Sequence, residues 1–149
     1  MLELKNISYK VADKEILKNI NLTIDDRFVA ITGPNGSGKS TLAKIIAGII
    51  QPTEGRIIFD GKDITDMSIT DRAKNGISFA FQQPVRFKGI TVKYLISLAA
   101  GKNTSVADAC KYLSEVGLCA RDYMDRELND SLSGGELKRI EIASVLARG

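Results

Sequence analysis

Residues 33–40 read Gly33-Pro34-Asn35-Gly36-Ser37-Gly38-Lys39-Ser40, and this octapeptide specifies more of the structure than any other stretch. It fits the pattern G-x-x-x-x-G-K-[ST], in which glycines let the backbone curl until successive N–H groups point at phosphate oxygens. Lys39 supplies a positive charge for the β- and γ-phosphates of a nucleotide, and the Ser40 hydroxyl can ligate Mg²⁺. The competing interpretation is a glycine-rich turn that fits the pattern by chance.

The flanking sequence favours the phosphate-binding interpretation, because such a loop lies between a strand and a helix. Residues 27–32 (RFVAIT) form a short apolar run, which predicts a buried parallel strand. After the loop, four apolar residues at helical spacing predict a helix that ends at Pro52; they are Leu42, Ile45, Ile46 and Ile49. The positive end of that helix would point at the same phosphates.

The rest of the chain shows strand patterns first and helical patterns afterwards. Strands are expected at residues 2–9, 16–24, 56–59 and 77–81, with a hairpin turn at Asp60-Gly61. From about Ile90 the apolar spacing is helical, with stripes at Val92, Leu95, Ile96 and Ala99 and at Val106, Ala109, Cys110 and Leu113. A capping box at Ser105-x-x-Asp108 and a last helix over residues 133–148 complete the prediction. This order indicates an α/β fold with an inserted helical subdomain.

Composition is that of an ordinary globular protein, with 44% hydrophobic and 26% charged residues among 149. A net charge of +3 is too small to indicate direct contact with nucleic acid. No apolar run reaches the roughly 18 residues of a membrane span, and the N-terminus lacks a signal-peptide pattern, so we expect a cytoplasmic location. The sequence has no histidine, which excludes histidine acid–base chemistry within it, and its two cysteines do not form a zinc-binding pattern.

The second informative stretch is Leu132-Ser133-Gly134-Gly135-Glu136. Ser133-x-x-Glu136 is also a capping box, so a purely structural role is a competing interpretation. Capping does not explain two consecutive glycines, which disfavour a first helical turn. Glycines at a helix start leave backbone N–H groups uncovered, and we therefore predict a second anion site here.

On these two stretches the chain resembles the ABC-type ATPase family over essentially its full length. LSGGE is similar to the LSGGQ signature of that family, with Glu136 where Gln is usual. The resemblance implies a P-loop NTPase core with an N-terminal antiparallel β subdomain, over about residues 1–87, and an inserted helical subdomain over about 88–149. It also implies a head-to-tail dimer, in which Ser133 and Gly135 contact the γ-phosphate of an ATP bound to the Lys39 loop of a second ABC ATPase domain.

Three further roles follow from the resemblance. Tyr9 matches an aromatic residue that stacks on adenine, Gln82 matches a glutamine that senses Mg²⁺ and the γ-phosphate, and Thr41 would reach the α-phosphate. The alternatives are that Tyr9 packs on the sheet, that Gln82 is a solvated loop residue and that Thr41 is an ordinary β-branched helix residue. The implied catalytic residues are Lys39 and Gln82, and the implied Mg²⁺ ligands are Ser40 and Gln82. The nucleotide contacts are Tyr9, Gly33, Pro34, Asn35, Gly36, Ser37, Gly38, Lys39, Ser40, Thr41, Ser133 and Gly135.

The resemblance also implies a Walker B strand after the signature, in which four apolar residues precede Asp-Glu. No such run follows Glu136 in these 149 residues. Phosphoryl transfer to water needs a group that orients the water, so we expect this stretch to bind MgATP with little or no turnover. We also expect it to be a fragment, or a chain completed by another polypeptide.

Three functions remain open. The leading one is the ATPase of a membrane transporter, which would contact the inner face of the membrane only through a membrane subunit. The second is a Suf-type ATPase of iron–sulfur cluster assembly, with soluble scaffold proteins as partners, because residues 79–92 (FAFQQPVRFKGITV) and 133–147 (SGGELKRIEIASVLA) are similar to that branch. The third is a non-catalytic nucleotide-binding module. The cargo is not specified by any of these residues.

Overall fold

The computed structural model describes residues 1–83, 86–101 and 104–148. Residues 84 and 85, which belong to the stretch 79–92 compared above with the Suf branch, lie outside the described part. The chain divides into two compact units, Met1–Ser78 and Phe79–Gly149. The domain boundary expected near residue 87 stays a prediction.

The first unit contains a four-stranded antiparallel sheet with strand order β2-β1-β3-β4. Its strands are β1 (Leu2–Val11), β2 (Lys14–Ile24), β3 (Glu54–Phe59) and β4 (Lys62–Asp63). The strands predicted at residues 2–9, 16–24 and 56–59 are therefore confirmed. Phe59 pairs with Lys62 across the predicted Asp60-Gly61 turn, where both residues have positive φ, 47° and 77°. This is the backbone conformation of a two-residue hairpin turn.

Helix α1 (Lys39–Ala47) follows the phosphate loop, as predicted. Its predicted end at Pro52 is wrong, because Gly48 takes a left-handed conformation and its N–H bonds back to Ile45 O, which closes the helix earlier. A short helix α2 (Ile69–Lys74), capped by Ser68, was not predicted. Its apolar residues are too few to show a helical period.

Two predicted strands, residues 27–32 and 77–81, are wrong: both segments are irregular. The side chain of Phe28 is 87% exposed, whereas a buried parallel strand requires neighbours on both sides. Within the described part of the chain the strands of the sheet pair only with one another, so neither apolar run has a ladder to join. An apolar run predicts burial, but burial depends on what packs against it.

The core of the first unit places α1 against the sheet. Its buried side chains come from three strands, from α1 and from the turn after β4: Leu4, Ile7, Leu17, Leu42, Ile45, Ile57 and Ile64. Since α1 begins at Lys39, this packing fixes the helix that carries the end of the phosphate loop. Ile46, part of the predicted stripe, is partly buried against the same cluster.

The second unit is helical, with α3 (Val92–Ala100), α4 (Val106–Glu115), α5 (Ala120–Tyr123) and α6 (Gly134–Ala147). The predicted stripes supply Val92, Ile96, Ala109 and Leu113 to its core, but Val106 is 54% exposed because it lies in the first turn, next to the cap residue. Leu132, Leu137 and Ile140 bury α6 in the same cluster. Among the described residues, no helix combines the length and apolar character that crossing a bilayer requires.

Candidate nucleotide-binding site

The phosphate loop ends in a helix start without a side-chain cap. Gly38 is the N-cap of α1 with φ of 90°. Among the residues that the structure describes, no side chain accepts from the first-turn N–H groups, and the first turn carries no acidic residue. These N–H groups and the positive end of the helix dipole favour an anion. Glycine is favoured at this position because φ is 90°, and because a Cβ at Gly38 would lie 2.7 Å from Leu17 Cδ2 and 3.2 Å from Ile16 O.

The Lys39 side chain folds back over the loop. Its ammonium donates to Gly33 O at 2.6 Å and to Pro34 O at 2.7 Å, and it lies 3.4 Å from Ser37 Oγ. A turn closed by the Ser37 N–H and Pro34 O shapes the same segment. Residues 33–37 and Ser40 are exposed and Lys39 is half-buried, so the positive charge is held at a surface that a phosphate group can reach.

Ser40 and Thr41 lie in the first turn of α1. Ser40 is exposed, and within the described residues its hydroxyl has no hydrogen-bond partner, whereas Thr41 is partly buried. A hydroxyl oxygen beside an uncapped helix start suits a hard divalent cation bound together with phosphate. Uncovered amides, an ammonium group and this hydroxyl therefore fit a nucleotide with Mg²⁺.

Tyr9 packs on the sheet, which is the alternative to stacking on adenine. It lies in β1 opposite Leu17 and is partly buried against the core of the first unit. Stacking of Tyr9 on adenine stays a prediction.

The signature stretch begins helix α6. Ser133 is the N-cap: its Oγ accepts from Glu136 N at 3.2 Å, and Glu136 Oε2 accepts from Ser133 N at 2.6 Å. The capping box is therefore confirmed. Gly134 and Gly135 are exposed, and a Cβ at either would meet no atom within 4 Å. No described neighbour requires glycine at either position, and the γ-phosphate contact of Ser133 and Gly135 stays a prediction.

Glu136 also accepts a hydrogen bond from Tyr123 Oη at 2.6 Å, a contact that the sequence did not indicate. This bond, followed by those from Ser133, lowers the pKa of the Glu136 carboxyl to about 2. The same bond raises the pKa of the Tyr123 phenol. The Arg126 guanidinium carbon lies 5.2 Å from the centre of the Tyr123 ring. The start of α6 is thus braced by a carboxylate that stays ionised.

Gln82 is exposed, and its side chain has no hydrogen-bond partner among the described residues. The residue before it is held firmly. Phe81 N donates to Glu141 Oε1 at 2.7 Å, and the Lys138 ammonium donates to Phe81 O. The backbone of Phe81 therefore bonds to side chains of α6 and not to a strand.

In comparisons with known proteins, the model of the ABC transporter family matches residues 17–149 of this chain. An uncharacterized ABC transporter ATP-binding protein of Methanocaldococcus jannaschii is 44% identical over 155 residues, covering 98% of this chain and 62% of that protein. A probable ABC transporter ATP-binding protein of Streptococcus pyogenes serotype M3 is 40% identical over 159 residues, covering 98% and 62%. This chain thus spans 62% of the length of either relative.

Solved structures of ATP-binding cassettes have a similar fold. A dimeric ATP-binding cassette in a post-hydrolysis state with ADP and Pi superposes with a TM-score of 0.81 at 30% identity, covering 99% of this chain and 70% of that one. A bacterial Atm1-family ABC exporter with ATP bound gives 0.84 at 31% identity, covering 99% and 27%. The predicted α/β P-loop NTPase fold is confirmed. The chain belongs to the ABC transporter family and forms part of its nucleotide-binding domain.

Proposed function

We propose that residues 33–41 bind MgATP and that the complete protein, as a head-to-tail dimer, hydrolyses ATP to power a membrane transporter. The observation that carries this proposal is the uncapped start of α1 beneath the Lys39 ammonium. The ADP and Pi bound to a similar cassette support it. A location at the inner face of the membrane, reached through a membrane subunit, belongs to the same proposal.

On binding, the Lys39 ammonium exchanges two backbone carbonyls for phosphate oxygens. Since phosphate is charged and the carbonyls are neutral, the new hydrogen bonds are the stronger ones. Ser40 and Gln82 are proposed as the residues that would hold Mg²⁺, and the ion would offset the negative charge of the phosphates. Thr41 is proposed as the contact of the α-phosphate and Tyr9 as the adenine contact.

The signature is proposed as the second half of the site. Ser133 Oγ and the uncovered N–H of Gly135 would donate to the γ-phosphate of ATP on the partner's loop. ATP then stabilises the dimer more than ADP does, because the γ-phosphate is the group that contacts both subunits. The dimeric form of a similar cassette supports this arrangement.

Complementation between two variants tests the composite site. Lys39→Ala disables the loop, and Gly135→Glu places a carboxylate at the signature. We expect neither variant alone to dimerise with MgATP in sedimentation velocity, whereas their mixture does, because one mixed site keeps both halves intact. Dimerisation of either variant alone, or equal dimerisation with MgADP and MgATP, would refute the proposal.

A second candidate is the Suf-type assembly ATPase, favoured by the similarity of residues 79–92 and 133–147 to that branch. Its partners would be soluble scaffold proteins in the cytoplasm. Affinity purification from detergent-solubilised cells distinguishes the two: a transporter subunit copurifies with an integral membrane protein, and a Suf-type ATPase with soluble proteins.

A further inference from the structure

Two side chains of α6 hold both hydrogen-bonding groups of a single residue, Phe81. Glu141 accepts from its N–H at 2.7 Å, and Lys138 donates to its carbonyl oxygen. The two side chains also form an ion pair of 2.8 Å with each other. We call Lys138, Glu141 and the Phe81 backbone the Phe81 clamp.

The clamp adds two hydrogen bonds to an ion pair. The Glu141 side chain is 16% exposed and that of Lys138 is 35% exposed, so solvent screens the ion pair between them incompletely, whereas their bonds to the Phe81 backbone are exposed. Each backbone bond has one charged partner, which roughly doubles its strength over a neutral bond. A helical i,i+3 pair by itself contributes much less.

The clamp side chains belong to α6, which is anchored in the core of the second unit. Leu137 and Ile140, the neighbours of the clamp residues along α6, are 2% and 1% exposed in the core of the second unit. The Phe81 ring also makes an edge-to-face contact with the ring of Phe79, with centroids 5.0 Å apart. The backbone therefore has little freedom at position 81.

We propose that Lys138 and Glu141 are positioning residues for Gln82. The clamp fixes the peptide that leads directly into Gln82, whose exposed side chain has no hydrogen-bond partner in the described part of the chain. Immobilising the backbone lowers the entropy cost of placing that side chain on Mg²⁺ or the γ-phosphate. This inference rests on the proposed nucleotide function of Gln82.

The clamp itself is tested by NMR of protein labelled with ¹⁵N-phenylalanine, which gives at most five backbone amide signals because the chain has five phenylalanines. The charge-swapped double variant Lys138→Glu/Glu141→Lys keeps an ion pair but offers Phe81 N–H no acceptor and Phe81 O no donor. We expect its Phe81 amide to exchange with solvent about tenfold faster or more, as the loss of a bond to a charged acceptor implies. Glu141→Gln retains an acceptor and should show a smaller change. Unchanged exchange in the swap would overturn the clamp.

The positioning role is tested by the ratio of MgATP to MgADP affinity, measured with a fluorescent competitor. We expect Gln82→Ala and the charge swap to lower this ratio equally and their combination to lower it no further, because both act on one element. Glu115→Ala, an exposed acidic change in α4, is the control and should leave the ratio unchanged.

These outcomes distinguish failure of the proposed nucleotide binding from failure of the positioning role. If the folded wild-type chain binds no nucleotide, the proposed function fails. If it binds nucleotide and the swap leaves the ratio intact while Gln82→Ala lowers it, the positioning role is refuted alone. If Gln82→Ala does not change the ratio, the Gln82 side chain makes no contribution to nucleotide binding that the clamp could support, and this inference is again refuted.

Discussion

Arg72 is the largest fully buried side chain of the described residues, and its replacement gives a prediction that can be worked out from contacts. Its guanidinium donates to Ile45 O at 2.6 Å, Ile46 O at 2.9 Å, Thr65 O at 2.6 Å and Met67 O at 3.2 Å. Two of these carbonyls lie in the last turn of α1, where the helix dipole favours a cation. Burial lowers the pKa of Arg72, and the Asp66 carboxylate opposes that shift.

The expected loss of stability follows from two opposing terms. Four bonds from a charged donor contribute about 1.5–3 kcal/mol each, and dehydrating the guanidinium costs several kcal/mol in return. Ile45 O keeps a bond from Gly48 N at 3.1 Å, so not every carbonyl is left unpaired. For Arg72→Met, which removes all four bonds and keeps most of the volume, we expect a loss of about 3 kcal/mol.

Urea unfolding measures this loss. The chain has no tryptophan, so a Phe59→Trp background places a single reporter in β3 of the first unit. We expect the midpoint to fall with an unchanged slope. Arg72→Lys should recover less than half of the loss, because one ammonium cannot reach all four carbonyls.

Arg56→Met is the matched control. The Arg56 side chain is 74% exposed and pairs with Asp63 at 3.5 Å, so its replacement should cost less than about 1 kcal/mol. A loss below about 0.5 kcal/mol for Arg72→Met, the range of surface substitutions, would refute the argument that Arg72 holds α1 in place.

Three more predictions concern the signature stretch and the phosphate loop. The folded-state pKa of Glu136 is lowered from 4.5 to about 2. The contribution of its carboxylate to folding stability is therefore complete above pH 4.5 and is lost as the pH falls toward 2. Thermal melts should show that the difference in melting temperature between wild type and Glu136→Ala shrinks across that range. In Gly135→Ala the added methyl group meets no described neighbour, so chemical unfolding should show equal or higher stability, by up to about 1 kcal/mol. MgATP-dependent dimerisation should weaken, and marked destabilisation would contradict this prediction. Gly38→Ala should destabilise more than Gly36→Ala in the same assay, because its Cβ would clash with Leu17 whereas that of Gly36 meets open space, and equal effects would argue against the clash.

Local signals predicted most of the fold. The Asp60-Gly61 turn and the Ser133 cap depend on residues close in sequence, and the structure confirms both. The segments 27–32 and 77–81 were predicted wrongly because a strand depends on a neighbour, which local sequence does not specify.

The side-chain contacts around the candidate site could not be predicted from the sequence. The motifs located the Lys39 loop and the signature. The bond between Tyr123 and Glu136 joins residues 13 apart, and the Phe81 clamp joins residues 57 and 60 apart. No periodicity connects such pairs. Arg72 was missed because a lone charged residue in a short helix predicts exposure.

The proposed function depends on binding of a nucleotide's triphosphate by the loop amides and the Lys39 ammonium. Isothermal titration of the folded chain with MgATP, beside Lys39→Ala, measures this binding. We expect saturable heat for the wild type and an affinity roughly tenfold to hundredfold lower for the variant, the value of a hydrogen bond between charged groups. No heat from the folded wild type, or equal affinity in the variant, would contradict the account.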